Sequence, residues 1–146
     1  MREVEKELQS TEEVAFLLTN LNQQVASDLM EAHEKGSRSS REVGQKHLPS
    51  FLELKSRVAS SKERFSQIKT PQILESFHTA YGRFLAKLLE VISLLANAYY
   101  LMSEGSEEES AKTLMRVRPM IREAIELQSE ANRELTRAKR LCKTTR

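Results

Sequence analysis

"GSRSSREVGQKHLPSF", residues Gly36 to Phe51, decides how many helices this chain can pack. Two start signals for a helix compete around it. Ser50 with Glu53 has the spacing of a capping box, in which a serine oxygen accepts from a backbone N–H and the glutamate reaches back. Ser39 with Glu42 has the same spacing, and so do Ser10 and Glu13 inside the first segment, so the motif alone discriminates weakly. Length arbitrates. The other three periodic segments run about 33 residues, roughly 50 Å, whereas a helix from Ser50 to Lys69 would span only about 30 Å. A start near Ser39 restores the match. Pro49 removes one backbone donor and disfavours helical geometry at Leu48, so the expectation is a helix over 39–69 broken at Pro49. Its inward line there would be Ser40, Gly44 and His47, which buries little, and Gly44 costs about 1 kcal/mol relative to alanine. Amides 38–47 are therefore expected to exchange fastest apart from the termini.

Working outward, the first segment (2–35) keeps a four-three rhythm through Val4, Leu8, Thr11, Ala15, Leu18, Asn22, Val25, Leu29 and Ala32, and meets Gly36, a natural helix stop. The third (71–103) opens with Thr70 as cap and Pro71 at the first helical position. Two apolar stripes side by side, Phe77 to Met102 and Leu85 to Tyr99, mark it as the most buried helix. The fourth (107–142) starts at "SEEE" and runs through Ser110, Leu114, Val117, Ile121, Ala124, Gln128, Ala131, Leu135, Ala138 and Cys142. Ala124, Ala131 and Ala138 recur every seventh position, so this helix should approach a neighbour closely. Short connections make consecutive helices antiparallel, which predicts one all-α domain over 1–146, an up-down-up-down four-helix bundle. The alternative is a three-helix hairpin with 36–49 as a loop.

Composition agrees. In 146 residues there are four Gly, three Pro and no Trp, and 30% of residues are charged, so turns are few and elements long. The single cysteine, Cys142, excludes an internal disulfide and fits a reducing, cytoplasmic setting. "MREVEKELQS" lacks the apolar run of a secretory leader. Phe84 to Met102 is apolar at 15 of 19 positions, yet Lys87 and Glu90 interrupt it three residues apart, which suits a core helix better than a membrane span.

No catalytic residues can be assigned: no nucleophile–base set, phosphate loop or paired carboxylates is legible. Glu75 with His78 supplies half of a di-metal motif and no second half, so neither metal nor cofactor is expected. Three surfaces remain. One is a small-ligand or metal pocket at the end near residues 30–50 and 99–120, using His33, His47, Tyr99, Met102, Met115 and Met120, where Pro49 and Pro119 would widen the bundle. A second is an interaction face of Phe16, Leu17 and Leu52. The third is the basic tail, net +5 over 133–146 against −3 elsewhere, with Arg133, Arg137, Lys139, Arg140 and Lys143. Cations there complement the helix dipole and would lie beside Glu3, Glu5 and Glu7, and no aromatic is interleaved for base stacking. The leading expectation is a non-enzymatic interaction module whose partner is another protein or a second copy. Ligand binding is the alternative and nucleic acid the second. A membrane partner is disfavoured. No motif is specific enough to name a family.

Overall fold

A computed structural model describes residues 2–35 and 40–144. It is 95% helical, with no strand among the described residues. The elements are α1 (Arg2–Lys35), α2 (Ser40–Gln67), a 3-10 turn (Gln72–Leu74), α3 (Glu75–Ser103) and α4 (Glu107–Thr144). They form an all-α four-helix bundle, antiparallel from each helix to the next. The Gly36 stop and the Ser39 cap lie outside the described residues.

The first 40s are packed, contrary to expectation. Val43, Gly44 and His47 are all buried. Gly44 is the reason. A Cβ built on it would lie 2.7 Å from the Ser103 nitrogen and 2.9 Å from the Tyr99 oxygen, so the backbones of α2 and α3 touch there. The missing side chain permits contact instead of loosening the helix. Around it, Arg41 Nε donates to the Ser103 carbonyl at 3.2 Å and Gln45 Nε2 reaches it at 3.5 Å, while the Ser40 hydroxyl donates to Glu107. The first turns of α2 thus satisfy the end of α3, which terminates in a Schellman motif: Gly105 has φ of 83°, Ser106 N bonds Leu101 O at 2.9 Å, and Gly105 N bonds Met102 O at 3.0 Å.

The break at Pro49 is absent: α2 stays helical from Ser40 to Gln67 with Pro49 inside it. Pro49 and Gln45, whose carbonyl loses its donor, are both exposed, so water can take that carbonyl. A second correction falls at Pro71. It precedes a 3-10 turn closed by Leu74 N to Pro71 O at 2.9 Å, and α3 starts at Glu75.

The core centres on α2 and α3. Phe51 stacks on Tyr99 with centroids 4.5 Å apart, and Phe65 meets Phe77, Tyr81 and the His78 ring. Each fully buried large apolar side chain contributes roughly 1.5–3 kcal/mol. Against α3, α4 sets the buried Ala124, Ala131 and Ala138, as the seven-residue spacing predicts, and Ser110 Oγ donates to the Ala98 carbonyl at 2.7 Å. Sustained close backbone approach joins α1 to α2, α2 to α3 and α3 to α4, but not α1 to α4, among the described residues. The α3 region is long and apolar enough to cross a bilayer, and half of its apolar window is buried in the bundle.

The inward frame of both outer helices differs from the expected one. In α1 the buried positions are Val4, Glu7, Thr11, Val14, Leu21, Val25 and Ala32, and Leu8, Ala15, Asn22 and Leu29 are only half-buried. In α4, Thr113 is buried and Ile121 is exposed. The expected frames assumed a close α1–α4 approach that the backbones do not sustain.

Gly44→Ala should therefore destabilise the fold by about 1–3 kcal/mol in urea unfolding, although alanine is the better helix former. Amides of Val43 to His47 should exchange as slowly as those of Leu54 to Val58. Fast exchange together with a stabilising alanine would reverse the assignment of Gly44.

Candidate functional site

The six residues expected to line one pocket do not come together. His47, Tyr99 and Met102 are buried. Tyr99 is committed to its stack on Phe51, and its hydroxyl pKa is raised by burial. His33 is exposed, and Met115 is 72% exposed on the outside of α4. Met120 borders a different groove with Lys62, Leu89 and Arg116. Equal depth along the axis grouped them, but successive residues turn about 100° round a helix, which separates them. The notch that would have held a ligand is filled by the Gly44 contact.

His78 is likewise structural. Its Nε2 donates at 2.8 Å to the Phe65 carbonyl in the last turn of α2, and that carbonyl also accepts from Ile68 N at 3.2 Å. Among the described residues no group of three or more His, Cys, Asp or Glu side chains converges as a metal site would require.

Polar chemistry concentrates instead along the α1–α2 seam. Asp28 Oδ2 accepts from Lys46 Nζ at 3.0 Å and lies 2.6 Å from His47 Nε2. The hydrogen bonds from His47 and then Lys46 hold its carboxyl below the usual 3.8. Near the opposite end, Glu7 Oε1 accepts from Arg64 Nε at 2.8 Å, and Arg64 also donates to Ser61 at 3.2 Å. This bond raises the Arg64 pKa further. The second Glu7 oxygen is buried without a hydrogen-bond partner. Close by, burial pushes the Tyr81 hydroxyl up to about 12. Between these clusters Arg57 and Glu13 approach to 3.6 Å. Three open grooves follow the seam: about 350 Å³ beside Leu17, Ser50 and Arg57, about 330 Å³ beside Glu3, Glu7 and Arg64, and about 410 Å³ beside Asn20, Asp28 and Lys46.

These seam charges went unread in the sequence, although a signal was present. Glu7 and Asp28 occupy the same seven-residue positions as Val14 and Leu21, the frame that faces α2.

Of the expected interaction face, Phe16 is 66% exposed and Leu17 borders the first groove. Leu52 is exposed but separate, about 140–160° round α2 from Ser50, Leu54 and Arg57. The basic residues Arg133, Arg137, Lys139, Arg140 and Lys143 are all exposed along the end of α4. The packed stripe stops at Ala138, with Leu141 and Cys142 exposed, and Glu7 is held by Arg64, not by the tail. Comparison with known proteins adds no relative: no family model, no curated protein and no solved structure gives a significant match.

The lowered Asp28 pKa sets the sign of a pH effect. A depressed carboxylate contributes stability in full above its ordinary value and loses it as pH falls through the lowered one. Asp28→Asn should reduce the Tm at neutral pH, and the deficit should close at an acid pH below the lowered value, where the Asp28 carboxyl is protonated. A deficit of equal size at both pH values would mean that shape, not charge, is what Asp28 supplies.

Proposed function

We propose that this protein is a non-enzymatic interaction module whose outer helices present apolar side chains to other proteins, a second copy included. One contrast carries the reading. The Phe and Tyr rings of α2 and α3 are buried except Tyr100, half exposed near the end of α3, while the outer helices leave Phe16, Met30, Met115 and Ile125 more than half exposed. A single exposed apolar side chain is ordinary on any surface; several large ones on the two outer helices favour contact with a partner. The grooves along α1–α2 are open and lined largely by polar side chains, which suits docking better than enclosure of a small molecule.

Self-association through α1 is the form most easily tested. Sedimentation of the full chain should show a concentration-dependent dimer, and Phe16→Glu should return it to monomer with no loss of helix by circular dichroism. A stable contact of this kind buries at least about 1,000 Å². A parent chain that stays monomeric at high concentration removes Phe16 as a self-association site.

A further inference from the structure

The strongest unpartnered feature lies on α4. Its flank toward α3 is defined by Glu123, which bridges to Lys87 at 3.1 Å, and by Met120, which borders a groove with Ala86 and Leu89. Residues two positions away lie about 200° round the helix. That places Arg118 and Arg122 opposite Met120, and Ile121 and Ile125 opposite Glu123, on the flank away from these α3 contacts. Ile121 is 37% and Ile125 57% exposed. No acidic residue stands among these four, and the nearest on the helix, Glu126, bridges to neither arginine. Arg118 and Arg122 form no ion pair with any described residue. Glu123, Glu130 and Glu134 lie along α3 together with Arg116, and the unpaired Arg118 and Arg122 lie on the other side.

We propose that this flank docks an acidic amphipathic helix of a partner protein. The inference rests on the interaction-module reading and names the surface and the partner's chemistry. Its warrant is shape together with charge. Ile121 and Ile125, four residues apart, form an apolar ridge of the kind that enters the groove of a facing helix. Arg118 and Arg122, also four apart, form a parallel cationic ridge beside it. A partner helix with one apolar row flanked by glutamates or aspartates complements both rows at once. A second copy offering the same flank would set arginine against arginine. A bilayer would call for a broader apolar face than one row, and nucleic acid for aromatics that this flank lacks.

The test uses the full chain and a fluorescein-labelled helical peptide of about three heptads, leucine at a and d and glutamate at e and g. Fluorescence anisotropy should show binding that weakens as salt is raised. Arg118→Glu combined with Arg122→Glu should weaken it by about tenfold or more, and so should Ile125→Asp, with helix content and Tm retained because these side chains are exposed. Phe16→Glu should leave peptide binding unchanged, and a lysine version of the peptide should not bind. Absence of binding by the acidic peptide, equal binding by the lysine peptide, or indifference to the α4 variants would each overturn the proposal. So would phosphatidylserine vesicles or single-stranded DNA that bind through Arg118 and Arg122 and displace the peptide fully, since the flank would then be a polyanion site. A chain that dimerises through Phe16 yet ignores the acidic peptide would sink this inference alone, leaving the broader reading standing. A chain that does neither would sink both.

Discussion

The distance between α2 and α3 governs the rest of the bundle. It is set at one end by Gly44, where backbone meets backbone at Ser103 and Tyr99. Along its length it is set by aromatic rings: Phe51 on Tyr99, then Phe65 among Phe77, His78 and Tyr81. Rings of fixed shape and a glycine with no side chain leave little freedom in register, because interiors are close-packed and a slip would open voids. The outer helices add to this pair by different means. α4 approaches α3 through small residues, Ala124, Ala131 and Ala138. α1 carries no core aromatic and joins α2 through Val14, Leu21 and Val25 together with charged pairs at Glu7 and Asp28.

That division also explains what could be read from the sequence. The stripes of α2 and α3 were legible because their buried positions hold large apolar residues that leave one choice of face. In α1 and α4 the invariant positions of the rhythm, such as Val4, Val25, Val117 and Ala131, were also legible. The swing positions were not. Leu8 and Ile121 are as apolar as anything beside them, so hydrophobicity alone turned them inward toward a closed ring. Without a sustained close α1–α4 approach, Glu7 and Thr113 took the buried places. Gly44 was misjudged for a related reason. Propensity prices a glycine by its own backbone freedom and knows nothing of a neighbouring helix at 2.7 Å.

The candidate sites failed or survived along the same line. The pocket grouped residues by height in the bundle, which a sequence supplies well, and left out angle, which depends on the frame. His33 and Met115 point outward, while His47 and Tyr99 belong to the core. Phe16 stayed on the surface because nothing in its surroundings competes for it. The arginine and isoleucine ridges of α4 became visible only when the direction of α3 was known, since that direction sets Glu123, paired with Lys87, on one side and the unpaired Arg118 and Arg122 on the other.

The pattern of close helix contacts has a consequence for how the molecule assembles. Every sustained helix–helix contact joins neighbours in the chain, and none must bring the first helix back to the last. Each step therefore closes only a short connection, whose entropic cost is small. A topology of such local contacts belongs with the fast folders. It also orders the events. The α2–α3 hairpin holds the rings and can collapse first. On this topology α4 can zip onto α3 from the turn at Gly105, and α1, which makes the sparsest close contact, is the helix expected to dock last and leave first.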